Sequence, residues 1–155
     1  MKFSATEDIE APIDHVYREV TNFAGFERQA LRRGASVNRL DGQGPIGTGS
    51  SWDVGFKFRG KARRMTATIG VMDPPNSVRV DTVAGGLDGV TQIELLALSR
   101  SHTRISVQIE LLPKSLSARL VLQSLKLAKS NLTKRFKAKI TEFSEDIEER
   151  YTKPL

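Results

Sequence analysis

Two histidines, one cluster of cations and one run of glycines are the residues of this chain whose types could do chemistry. His15 follows Asp14, and His102 lies in Ser101-His102-Thr103. A general base needs a pocket position and a partner within hydrogen-bond reach. Both histidines read instead as surface residues, one at the start of a helix and the other in a turn. Cysteine is absent, which excludes disulfides, zinc–thiolate centres and thiol nucleophiles. A metal site would then need clustered carboxylates, and none have ligand spacing; neither a metal nor a cofactor is expected. The glycines at 42, 44, 47 and 49 do not make a phosphate loop. They lack a Lys-Ser/Thr ending and lead into a strand, whereas phosphate binding uses a helix N-terminus.

The cations are more informative. Lys57, Arg59, Lys61, Arg63 and Arg64 surround Gly60. They read either as a solvated hairpin whose charges protect a sheet edge or as an anion-binding or membrane-docking tip beside a pocket mouth. Counted in twos from Met65, Arg63 falls on the inward side. There it can meet a ligand carboxylate or snorkel outwards from the sheet end. The net charge is +6 and the pI about 9.8, a balance that suits nucleic acid, anionic lipid and acidic ligands alike. Nucleic acid is disfavoured. Aromatic residues make up 6% of the chain and read as inward-facing, so stacking platforms are few, and no nucleic-acid motif is present. Lys126, Lys129, Lys134, Arg135, Lys137 and Lys139 interleave with an apolar stripe, the pattern of a solvated helix face.

The elements that must position these residues follow from periodicity. Residues 2–10 alternate as a half-buried strand. Pro12 then opens a short amphipathic helix over 13–22, carried by Ile13, Val16, Tyr17 and Val20. A second short helix is predicted over 26–33. Strands are predicted over 35–40, 51–59, 63–72, 78–83, 90–98 and 103–111, with turns at Asp41-Gly42, Gly60, Asp73-Pro74-Pro75-Asn76, Gly85-Gly86 and Asp88-Gly89. In the fourth strand Met65, Ala67, Ile69 and Val71 share a phase. In the last, Thr103, Ile105, Val107, Ile109 and Leu111 face inwards. Consecutive strands on short turns imply an antiparallel meander.

After Pro113 the period becomes helical. Leu125, Ala128, Leu132, Phe136, Ile140, Phe143, Ile147 and Tyr151 step by three and four, predicting one long amphipathic helix over 125–151. Residues 116–128 are apolar over a wider arc than one sheet face covers, so this stretch either lines a pocket mouth or meets another chain. At 155 residues the chain fits one domain, 1–155, with a core that needs no metal or disulfide. No secretory h-region is seen, and no apolar run approaches the ~18 residues of a membrane span; a cytoplasmic location is expected.

The order of one strand, two short helices, six strands and a long helix resembles the polyketide cyclase/START-like superfamily (SRPBCC, birch-pollen-allergen-like). Local features are similar too: Ile9-Glu10-Ala11-Pro12, Val16-Tyr17, Asn22-Phe23, Gly47-Thr48-Gly49-Ser50 and Val71-Met72-Asp73-Pro74-Pro75. The resemblance covers nearly the whole chain. It implies an α+β helix-grip fold, in which a curved antiparallel sheet of about seven strands wraps a long C-terminal helix and encloses a cavity. It also implies binding of a lipid, polyketide, sterol or hormone, and in some members cyclisation or dehydration. No catalytic set of the superfamily maps onto these residues.

The leading expectation is therefore a binding protein for a small hydrophobic or amphipathic ligand, including acidic ones. Trp52, Phe56, Met65, Ile93, Val107, Leu125, Leu132 and Phe136 are the candidate lining, with Arg63 as polar anchor. Periodicity does not separate pocket wall from core. The alternatives are a cyclase or dehydratase acting on a polyketide-like substrate, and a non-catalytic interaction module using residues 116–127. The expected state is monomer or homodimer, with weak contact to an anionic membrane surface.

Overall fold

In the computed structural model, residues 1–152 are described; the last three residues of the expected 1–155 domain lie outside them. The strands are β1 (Lys2–Ile9), β2 (Ser36–Arg39), β3 (Ser51–Phe58), β4 (Lys61–Asp73), β5 (Ser77–Ala84), β6 (Leu87–Ala97) and β7 (Thr103–Pro113). They form one antiparallel sheet in the order β1-β7-β6-β5-β4-β3-β2. The helices are α1 (Ile13–Val20), α2 (Phe23–Arg32), α3 (Leu116–Leu127) and α4 (Lys129–Thr152). The architecture is the expected α+β helix grip: α1 and α2 follow β1, and the C-terminal helix packs along β1.

Alternation accounts for the main core. Ile9, Val16, Ile105 and Ile147 are fully buried, and Tyr17, Val20, Leu95 and Val107 pack around them, with Phe136, Ile140 and Phe143 closing the α4 side. Burying each aliphatic side chain contributes about 1.5–3 kcal/mol. Thr103, also on the inward face, is fully buried and donates its hydroxyl to the Ala11 carbonyl at 2.8 Å. A second cluster of Trp52, Ile69 and Val78 lies under Phe23, Val37 and Val54.

Four expectations about the elements change. α2 begins three residues early because Asn22 caps it, its side chain accepting from the Gly25 N–H at 3.1 Å. β4 carries a bulge between Ile69 and Val71, so Val71 turns outwards and Met72 joins the core in its place. β6 starts at Leu87, which puts Asp88-Gly89 inside a strand and leaves Gly85-Gly86 as the turn. The helix over 125–151 is broken at Ala128, which caps α3, so Leu125 belongs to α3. The break lets α3 pack on β7 beside the β5–β6 turn while α4 follows β1 and α1.

The histidine expectation changes in part. His102 is exposed, its Nδ1 3.1 Å from the hydroxyls of Ser99 and Ser101. His15 is packed rather than superficial. Its Nε2 lies 3.1 Å from the Ile147 carbonyl, and its ring lies 5.0 Å from that of Tyr151. Tyr151, expected in the buried stripe, is 48% exposed because it covers the α1–α4 seam from outside.

Candidate functional site

The sheet is not covered evenly. α4 lies over β1 and the α1 side, whereas β3 and β4 at the other end face the short helix α2 and, beyond it, α3. β2 has only four residues and its last pair is Ser36–Gly55, so the end of the β3–β4 hairpin projects past it. A hollow of about 1040 Å³ lies between this projection and α2, walled by Phe26, Ala30, Arg33, the Gly34-Ala35-Ser36 turn, Phe56 and Arg63.

Two smaller hollows adjoin it. One, of about 350 Å³, shares Phe56, Arg63 and Arg64 with the first and continues between Phe58, the Ala84-Gly85 turn and Ala118, Val121 and Leu125 of α3. The other, of about 240 Å³, shares Phe26 and Ala30 and is otherwise walled by Phe23, Val37, Trp52, Val54 and Met65. The three form one cleft with an apolar floor, the usual composition of a small-molecule site.

The charge bordering the largest hollow is one-sided. Arg33, Lys57, Arg63 and Arg64 border the largest hollow, and no carboxylate does. Arg64 is held by Asp53 across the strand pair. Arg63 stands where the two larger hollows meet. Its Nε donates to the Phe58 carbonyl at 3.1 Å and its guanidinium lies 5.5 Å from the Phe58 ring centroid. Among the described residues Arg63 has no acidic partner, which leaves its remaining donors available to an anion.

The hairpin itself is held by its turn. Arg59 and Gly60 both have positive φ, 53° and 74°, the pattern of a two-residue type I′ connection. Such a φ is unfavourable for arginine. Arg59 nevertheless stacks over Phe58, and its Nη2 donates to Ser124 Oγ of α3 at 2.6 Å. That bond ties the hairpin to the helix across the second hollow.

Of the residues singled out from the sequence, Trp52, Phe56, Arg63, Met65 and Leu125 border the cleft. Val107 and Phe136 pack in the main core, Ile93 bridges the two core clusters, and Leu132 is half-buried in the first turn of α4. One residue of the cleft went unnoticed. Glu27 borders the apolar hollow and accepts a hydrogen bond from the Trp52 indole N–H. Phe23, Phe26, Glu27 and Ala30 follow i, i+3, i+4, i+7 spacing, so a carboxylate interrupting an apolar stripe was the available signal.

At the cleft rim the hydrogen bond to Asp53 raises the Arg64 guanidinium; the other displaced groups lie away from the cleft. A hydrogen bond from Arg104 lowers the Asp8 carboxyl, and one from Arg39 holds Asp41 well below the carboxylate range. Burial, assisted by Asp73, raises the Tyr17 phenol, which donates to the Ser77 carbonyl at 3.2 Å. Among the described residues no three His, Asp or Glu side chains gather as a metal site, and no helix is long and apolar enough to cross a membrane.

No family model matches the chain, and no curated protein matches it by sequence. Solved structures do match. An aromatase/cyclase, Zhui, from Streptomyces sp. R1128 superposes with a TM-score of 0.67 at 14% identity, covering 97% of this chain and 95% of the other. Norcoclaurine synthase from Thalictrum flavum, solved with dopamine and hydroxybenzaldehyde, gives 0.65 at 13% identity, covering 100% and 89%. Ara h 8.0201 gives 0.58 at 17% identity, covering 92% and 98%. At these identities the likeness is one of fold. The chain shares the helix-grip fold of these structures.

Proposed function

We propose that this protein binds a small amphipathic molecule with an apolar body and an anionic head, in the cleft between α2, α3 and the β3–β4 hairpin. The observation that carries the reading is the pairing of an apolar floor with a rim of Arg33, Lys57, Arg63 and Arg64 and no carboxylate. In this reading the apolar body lies along Phe26, Phe56 and Met65, and the head meets Arg63. One neighbour of this fold, norcoclaurine synthase, was solved with two small aromatic molecules, which supports the reading at the level of the fold.

The test is native mass spectrometry of protein purified without denaturant, with extraction and identification of any retained compound. A retained acidic lipid or aromatic acid is the expected result. An apo mass, together with no binding across fatty acids, sterols and aromatic acids, would refute it.

A second reading, a cyclase or dehydratase, is favoured by one observation: Glu27 is a carboxylate in an otherwise apolar hollow. In that reading Glu27 moves a proton on the bound substrate. Replacing Glu27 by Gln should then abolish turnover while ligand binding persists. Unchanged turnover in that variant would remove the reading.

A further inference from the structure

The outer face of α3 has no partner in the fold. Ala118 and Leu122 are its buried residues, and Val121 and Leu125 turn to the cleft. Leu116, Leu120 and Leu127 are 73%, 59% and 92% exposed, and steps of four and seven place them in one stripe. Arg119 and Lys126 follow one flank of that stripe by the same helical count. Ser124, on the other flank, holds Arg59 of the hairpin, which also carries the exposed Lys57 and Lys61.

No carboxylate interrupts this region. Residues 111–141 contain eight Lys or Arg and no Asp or Glu, and residues 54–72 contain five and none. Among the described residues Arg59, Lys61, Arg119 and Lys126 have no ion pair.

We propose that this face, the outer stripe of α3 with the β3–β4 hairpin tip, docks on an anionic lipid bilayer. Exposed leucines bordered by cations on both flanks are what an interfacial helix uses: the apolar side chains enter the acyl boundary and the cations meet the headgroups. A second copy is a poor occupant, because the like-charged faces repel and neither holds an acid to pair with the other's cations. Nucleic acid would leave the leucine stripe against phosphate. The leucine stripe faces away from the cleft and only the hairpin borders both, so docking does not require a bound ligand. It would set the second hollow, walled by α3 and the hairpin, beside the membrane.

The experiment is co-sedimentation of ligand-free protein with phosphatidylcholine vesicles with and without phosphatidylglycerol. The protein should bind the anionic vesicles selectively and be released by salt. Lys126→Glu and Arg59→Asn should each weaken binding about fivefold or more, and Leu120→Ser and Leu127→Ser about tenfold. Arg59→Asn keeps the turn, for which Asn-Gly is the preferred pair, but releases Ser124 of α3; Lys126→Glu, which breaks no bond of the fold, separates docking from folding. Equal sedimentation with neutral vesicles overturns the proposal. So do leucine variants that bind like wild type, which would mean adsorption by charge alone. A concentration-dependent doubling of mass that Leu120→Ser abolishes would assign the face to a second copy and overturn it as well. Any of these outcomes leaves ligand binding in the cleft untouched.

Discussion

Replacing Arg63 by Met isolates the role assigned to the anchor. The substitution keeps an apolar stem of similar reach and removes the charge. In the free protein Arg63 makes one hydrogen bond to a carbonyl and one contact with the Phe58 ring, and no ion pair among the described residues. Losing an exposed cation–π contact costs about 0.5–1 kcal/mol, so the fold should survive with a small drop in Tm. Against a ligand carboxylate the loss is larger. A hydrogen bond to a charged group contributes about 1.5–3 kcal/mol. Taking about 2 kcal/mol for this partly exposed site, the acid should bind roughly thirtyfold more weakly.

The control is a neutral twin. A long-chain fatty acid and the alcohol of the same length share the apolar body and differ in the head. The chain has one tryptophan, Trp52, and it borders the cleft, so quenching of its fluorescence reports both titrations. The acid should lose about thirtyfold and the alcohol less than about threefold. Equal losses for acid and alcohol would mean that Arg63 supports the cleft wall rather than a charge. No loss for either would remove it from the site. Both outcomes refute the reasoning.

Three further outcomes follow from the packing and the displaced carboxyls. Ile147→Ala empties a fully buried position between α4 and β7; it should lower stability by about 2–5 kcal/mol, seen as a lower urea midpoint at unchanged slope. Asp41 accepts from Arg39 at 2.9 and 3.0 Å and from the Ser51 N–H at 3.1 Å, and its folded pKa is lowered. Its contribution is therefore complete above the unfolded carboxyl pKa of about 3.9 and lost as pH falls towards the folded value. Urea midpoints of wild type and Asp41→Asn should differ at neutral pH and converge as pH drops below about 4; a gap that stays constant contradicts this. In hydrogen exchange the α3 amides should open at lower free energy than those of α4 around Ile147, because Ile147 lies in the main cluster with Phe136, Ile140 and Phe143 packed against it, whereas α3 puts only Ala118 and Leu122 out of reach of water. Uniform protection along both helices would contradict it.

Much of the fold was legible because its strands repeat every second residue. The stretch over 103–113 shows its inward face directly, and the same counting set Arg63 on the side of the hairpin where the cleft lies. Three features were not legible, each for a physical reason. Gly70, an isolated glycine inside a strand, marks the place of the bulge between Ile69 and Val71. A bulge depends on the partner strand as well as on the bulged one, so glycine alone does not show that the phase slips. The break at Ala128 has neither glycine nor proline, and the apolar steps run in phase from Leu122 and Leu125 through Phe136 and Ile140. The separation of wall from core was also hidden. Met65 and Val107 alternate alike, but Val107 lies under the cluster that α4 closes, whereas Met65 lies opposite α2, too short a helix to fill the space above it.

The same asymmetry explains how one sheet can be both stable and receptive. α4 closes a cluster built from β1, β6, β7 and α1, where Ile9, Val16, Ile105 and Ile147 lose all contact with water; that end carries much of the folding free energy. At the other end α3 is anchored by two small or medium apolar residues, by Ser115, whose side chain caps its first turn, and by the Arg59–Ser124 bond. A helix with so few buried side chains is the element a ligand would displace before the main core. The second hollow lies beneath this helix. Widening it for a ligand would therefore disturb the Arg59–Ser124 bond and the positions of Val121 and Leu125 before the cluster around Ile147.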